Sequence, residues 1–167
     1  MNTYLIKDKI DNIIYYCFNL LSDFVYFFNF KVKRIVKENV KYKNIHSNER
    51  CFILGTGPSL NKITDNQILK LKSEVIIGVN SLYKAKISNE ITPKYYALFD
   101  NLYWNEEKYF FKEILKKYKN EPPIFLTDYR AKEILDELQY RSKALMIYAK
   151  RFPVNKINHN LTGNMYI

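Results

Sequence analysis

Glycine is scarce in this chain, with four in 167 residues, and cysteine and histidine number only two each. So little glycine excludes collagen-like and glycine-rich low-complexity classes, and a hydrophobic fraction of 47% excludes general disorder. Cys17 and Cys51 lack metal-type spacing and the only histidines are His46 and His159, so no zinc set can be assembled. Both cysteines lie in apolar stretches and are expected to be reduced packing residues of a cytoplasmic protein. Tryptophan occurs once, and the aromatic content comes instead from fifteen Tyr and eleven Phe. The length allows one domain with a real core plus an appendage.

Two of the four glycines fall one residue apart, in Gly55-Thr56-Gly57-Pro58-Ser59-Leu60, directly after the apolar run Cys51-Phe52-Ile53-Leu54. An apolar strand that turns through Gly-x-Gly and leaves through Pro58 and Ser59 suits a backbone that must approach a ligand and open a helix. Glycine removes the Cβ that would block the approach, proline presets the helical φ, and serine can accept from free first-turn amides. Such amides, with a helix dipole behind them, suit a phosphate. The dinucleotide fingerprint is incomplete, because Leu60 replaces its third glycine and the next strand ends in Gly78-Val79-Asn80 rather than in an acid. A Gly-Lys pair is also missing, which excludes the common phosphate loop. The stretch is expected to be a nucleotide-phosphate turn, with a ligand-free strand-to-helix turn as the plain alternative.

The net charge of +10 is uneven: Lys31, Lys33, Arg34, Lys37, Lys41 and Lys43 face only Glu38 between residues 31 and 43. Upstream, residues 4–36 read as one long helix. Asp8, Asn12, Tyr15, Asn19, Ser22, Asp23, Tyr26, Asn29 and Lys33 fall within about a third of its circumference, opposite a broad apolar face. A simple membrane span is disfavoured, since a mid-helix Asp such as Asp23 costs roughly 2.5–3.5 kcal/mol on insertion. Early Asp8 and Asp11 do not fit a secretory signal. Two readings remain: residues 4–43 lie on an anionic membrane surface, or the helix packs on the domain or on a second subunit of a homo-oligomer. Nucleic acid is not expected as a partner, because the basic residues adjoin a hydrophobic helix and no reading module appears.

The expected organisation is therefore a helix and basic segment over 1–43, a linker over 44–49 in which His46 is solvated, and a domain over 50–167. Apolar runs at 51–54, 75–79, 95–99, 124–126 and 144–148 alternate with helical patterns, including a crossover helix at 104–118. That alternation predicts an α/β fold: a Rossmann-like, mainly parallel sheet with helices on both faces and right-handed crossovers. Asn80 and Ser81, after the second strand, are expected near the glycine turn, where Asn80 can read a base or sugar edge or cap the helix that follows. Asp100 and Asn101, after the third, can hold a metal, accept a sugar hydroxyl or cap the next helix. Asp128 is a candidate cap after the fourth. Leu161-Thr162-Gly163-Asn164-Met165-Tyr166-Ile167 starts a further small-residue turn and stops, as expected of a domain truncated at its end.

Ile53-Leu54-Gly55-Thr56-Gly57-Pro58-Ser59-Leu60, Val79-Asn80-Ser81-Leu82-Tyr83 and Ala97-Leu98-Phe99-Asp100 together resemble the amino-terminal half of the bacterial sialyltransferases that decorate lipooligosaccharide. They are also similar to a broader group containing flagellin-glycosylation accessory proteins and archaeal 6-hydroxymethylpterin diphosphokinases. The resemblance covers about residues 50–167. It implies a CMP-sugar or other nucleotide-sugar donor, a glycan acceptor, and nucleotide contacts from Gly55, Thr56, Gly57, Pro58, Ser59 and Asn80. Thr56 stands where those enzymes carry asparagine, and Thr162 and Gly163 look like the start of a later segment lining the same pocket. The family's catalytic histidine lies beyond Ile167 and His159 does not match it, so no catalytic residue carries over. The wider group implies the alternative of ATP with magnesium. The expected setting is cytoplasmic, peripheral on the inner face of the cell membrane, with a non-catalytic membrane-associated module as the third reading.

Overall fold

The computed structural model describes residues 3–150 and 165–166. It divides into two compact units, Met1–Lys43 with Ile147–Ile167, and Asn44–Met146.

The first unit begins with helix α1, Thr3–Phe28, followed by α2, Phe30–Lys37, and a 3-10 turn, Glu38–Tyr42. The single helix expected over 4–36 is thus broken, and α1 and α2 meet at an 85° bend. The cause is Asn29. Its backbone leaves the helical region (φ −90°, ψ 81°), and its side-chain oxygen accepts from the Val32 amide at 3.1 Å. An asparagine that can cap a new helix competes with continuation of the old one. The short strands β6, Ala149–Lys150, and β7, Met165–Tyr166, pair in parallel in this unit.

The second unit is built on β1, Cys51–Leu54; β2, Val75–Val79; β3, Tyr95–Leu98; β4, Ile124–Asp128; and β5, Ala144–Ile147. They form one parallel sheet in the order β1-β2-β3-β4-β5. The fold is α/β, as the alternation of apolar runs and helical patterns predicts. The connections hold α3, Asp65–Leu71; α4, Leu102–Asn105; α5, Tyr109–Lys117; and α6, Lys132–Glu137, with only 3-10 turns between β2 and β3. Thr64 opens α3 with a full capping box to Gln67. The crossover helix expected over 104–118 is two pieces, because the amides of Glu106 and Glu107 both close onto the Leu102 carbonyl and end α4.

All four residues of β3 are buried although their side chains alternate in direction, so the sheet is covered on both faces there. Phe111 of α5 and Phe125 of β4 are fully buried and meet edge to face at 4.9 Å. Gly78 is required by packing: a Cβ there would lie 2.9 Å from Tyr96 Cε2 and 3.0 Å from Leu82 Cδ2. By contrast β1 is an edge strand, and Cys51, Phe52 and Ile53 are exposed. Two expectations fail here. Both cysteines are exposed rather than packed. His46 is not simply solvated, since Nδ1 lies 2.7 Å from Glu49 Oε2 and Nε2 2.7 Å from the Tyr95 hydroxyl.

Candidate functional site

In a parallel sheet every strand delivers its carboxyl end to the same edge, and ligands of α/β proteins bind there. The strand order does not reverse among the described strands, so the position of a site follows from what these carboxyl ends carry. At β1 they carry the glycine turn, at β2 Asn80 and Ser81, at β3 Asp100 and Asn101, and at β4 Asp128.

The turn is open. Gly55 is half-buried, while Thr56, Gly57, Pro58 and Ser59 are exposed. Gly57 has φ −69° and ψ 157°, which any residue before a proline adopts. No described glycine has positive φ. A Cβ on Gly55 would come no closer than 3.7 Å to Val79, and one on Gly57 no closer than 3.7 Å to the Ser59 hydroxyl. Neither backbone angle nor internal packing demands glycine at 55 or 57, in contrast to Gly78. The turn and loop hydrogen bonds among the described residues include none donated by the amides of Thr56, Gly57 or Ser59.

One part of the expectation is corrected. Pro58 opens only a five-residue 3-10 turn, Pro58–Lys62, without a side-chain cap, so Ser59 does not cap it and no long helix dipole stands behind the amides. Any hold on an anion must come from the turn amides themselves, as in a backbone nest.

The register pairs Leu54 with Gly78, and a Cβ on Gly55 would stand 3.7 Å from Val79, so Asn80 follows β2 at the same edge of the sheet as the glycine turn. Asn80 takes the left-handed conformation, φ 51°, as do Asn44, Asn48 and Gln139, and asparagine enters that region more readily than other side-chain-bearing residues. It does not cap the following turn with its side chain. Instead Oδ1 accepts from the Tyr103 hydroxyl at 3.2 Å, and its carbonyl accepts from the Tyr96 hydroxyl at 2.9 Å. Tyr96 Oη also accepts from the Tyr83 amide at 2.9 Å. The phenol therefore clamps the two ends of the residue 80–83 turn, and Tyr103 orients the carboxamide so that its NH2 is left to donate outward.

Asp100 is exposed, and its Oδ1 accepts from the Leu102 amide at 3.0 Å, which is the capping role weighed for it. Asn101 is exposed without a side-chain cap, and Ser81 is half-buried. Asp128 is the cap it was expected to be, fully buried, with Oδ1 accepting from the Arg130 amide at 3.0 Å and from Arg130 Nε at 2.6 Å. The Arg130 guanidinium lies 4.9 Å from the Trp104 ring centre, which holds a cation at this edge by charge and ring face together. Thr162 and Gly163 lie outside the described residues. The site residues that sequence reading missed are Tyr96, Tyr103, Trp104 and Arg130; the only signal was the abundance of tyrosine after the second and third strands.

Burial pushes the Tyr96 phenol well above its ordinary range. It raises Tyr118, 6.3 Å away between ring centres, to about 12, and lifts Tyr103 with help from Asp100 and Glu107. These phenols bind their protons more tightly folded than unfolded. Their contribution to stability is complete below pH 10, the unfolded value, and is lost as pH climbs toward 12. A titration of unfolding free energy against pH should therefore fall between those limits, with phenolate absorbance appearing together with unfolding.

Among the described hollows, one of about 320 Å³ lies between β1 and α3, lined by Phe52, Leu54, Ile63 and Leu71. Another of about 310 Å³ includes Leu60, Ile68, Ala85 and Ile87. Neither of these two is lined by Gly55–Ser59 or Asn80. No group of three or more His, Cys, Asp and Glu side chains among the described residues is arranged to hold a metal. Comparison of the chain with protein-family models, curated proteins and solved structures finds no match.

Proposed function

We propose that the edge formed by Gly55–Ser59 and Asn80 binds the phosphate-bearing part of a nucleotide, and that the chain is a nucleotide-sugar-dependent glycosyltransferase of the sialyltransferase kind, working in surface-glycan synthesis at the cytoplasmic face of the membrane. The observation that carries this is the pair of glycines at 55 and 57, which neither conformation nor packing requires and which leave bare, exposed backbone. Bare backbone with unused amides favours close approach of an anion from outside. The resemblance of the surrounding motifs to sialyltransferases selects a cytidine nucleotide as donor.

In such a transfer the bond between the sugar's anomeric carbon and the phosphate oxygen breaks, and its electron pair leaves with the phosphate. The turn amides would stabilise that charge, and the Asn80 NH2 would orient the base or sugar. The acceptor hydroxyl attacks the carbon and loses its proton to a base. His46 is unsuited to be that base: it is engaged by Glu49 and by Tyr95, which begins β3, at the opposite edge of the sheet.

Calorimetric titration with CMP, CDP, UDP, and ATP with magnesium tests the reading. Binding of CMP or CDP in preference to the others is expected. Binding of ATP with magnesium alone would replace it with the diphosphokinase-like alternative, in which the exposed side of Asp100 works beside a metal. Binding of none would leave a non-catalytic module.

A further inference from the structure

The polarity of α1 is turned the wrong way for a helix that completes a water-soluble core. From Tyr15 onward its polar stripe is the covered side, though Asp8 and Asn12 nearer the start are exposed: Asn19 is 5% exposed, Tyr15, Ser22, Asp23 and Tyr26 are half-buried, and both Ser22 and Tyr26 meet Tyr148, by hydroxyl contact at 3.4 Å and ring contact at 5.1 Å. The apolar side is the bare one. Ile13, Leu20, Leu21, Phe24, Phe27 and Phe28 are each more than half exposed, and Phe30 beyond the bend is 76% exposed.

We propose that this face of α1 is seated in the surface of an anionic lipid bilayer, with the helix lying in the plane of the membrane and α2 presenting its cations to the headgroups. Three features select lipid over a second protein surface. At 100° per residue the exposed apolar positions of α1 sweep roughly 200°, about twice the stripe that one packing partner covers, whereas acyl chains close around whatever is offered. The apolar side ends in an aromatic group at the bend, where the Lys33 ammonium stands 4.1 Å from the Phe27 ring centre, a pairing of ring and cation suited to the depth of the headgroups. Directly after it come Lys31, Arg34 and Lys37, all exposed, with Glu38 the only acid between residues 31 and 43, so the charge complements anionic headgroups. No single described helix is long and apolar enough to cross a membrane, and α1 and α2 pass that test only together, across their 85° bend. An in-plane seat accommodates both the bend and the polar stripe.

Flotation of the full chain with vesicles of phosphatidylcholine plus phosphatidylglycerol, and with phosphatidylcholine alone, tests the seat without reference to nucleotide. The chain is expected to float with the anionic vesicles, and binding should drop about tenfold on the neutral ones or in high salt, where headgroup charge is absent or screened. Phe24→Asp with Phe27→Asp, both at exposed positions, should release it with the helical circular dichroism kept. Lys31→Glu with Arg34→Glu and Lys37→Glu, which leaves the apolar face intact, should reduce binding to the neutral-vesicle level. Failure of the full chain to float with anionic vesicles overturns the proposal. So does a lipid-free dimer that the double Asp variant dissociates, because the face would then belong to a second copy. Nucleotide titration of the double Asp variant keeps the two readings apart, since loss of the lipid seat leaves Gly55–Ser59 and Asn80 untouched.

Discussion

Gly57→Val is expected to weaken nucleotide binding on the order of 100-fold while leaving the fold at least as stable as before. Valine is comfortable at φ −69° and ψ 157°, and its Cβ enters space where the nearest atom is the Ser59 hydroxyl at 3.7 Å. Replacing glycine at a compatible backbone position shifts stability by roughly 0.4–1 kcal/mol in the favourable direction, through the unfolded chain. The same branched side chain would hold a phosphate away from the turn amides by an ångström or more, and misplacement on that scale costs on the order of 100-fold. Thermal unfolding and calorimetry on one sample check both halves. Unchanged affinity would remove the turn from the site. A collapse of stability would show that the glycine serves the fold after all.

Tyr96→Phe should be the costliest single-atom change in the second unit. The hydroxyl removed accepts from the Tyr83 amide and donates to the Asn80 carbonyl, both at 2.9 Å, and the side chain is fully buried. The buried Tyr83 amide left without a partner costs roughly 1–3 kcal/mol and the part-buried Asn80 carbonyl about 1 kcal/mol, so a loss of about 2–4 kcal/mol is expected from denaturant unfolding. Asn80 would also be released from its left-handed conformation, a state that persists only while its surroundings enforce it. The variant should therefore bind nucleotide more weakly even where it remains folded. A loss below 1 kcal/mol with binding intact would show that the clamp is dispensable.

The strands were legible because parallel strands buried on both faces read as unbroken apolar runs, and Val75–Val79 and Tyr95–Leu98 are of that kind. Asp128 was legible as a local signal, since a cap and the amide it serves lie within a few residues, whereas the capping box of Thr64 and Gln67 went unread. What escaped is long-range or competitive. The partners of Tyr96 and Tyr103 lie 13 to 23 residues away, and the histidine bond to Tyr95 spans 49, separations at which a sequence carries no periodic signature. The break at Asn29 escaped because hydrophobic periodicity runs across it, while the outcome was decided by one side chain capping a new start. The glycine turn was located correctly, but its helix was overread: Pro58 and Ser59 suit a first turn, and nothing in them requires a second.

The glycine turn hangs from an edge strand of the sheet, which among the described residues is laced to a neighbour on one side only. Strands tied by a single ladder fray at lower free energy than those in the middle. Any molecule gripped there would be fastened to one of the more easily loosened threads of the weave, so its residence and the tightness of that margin would rise and fall together.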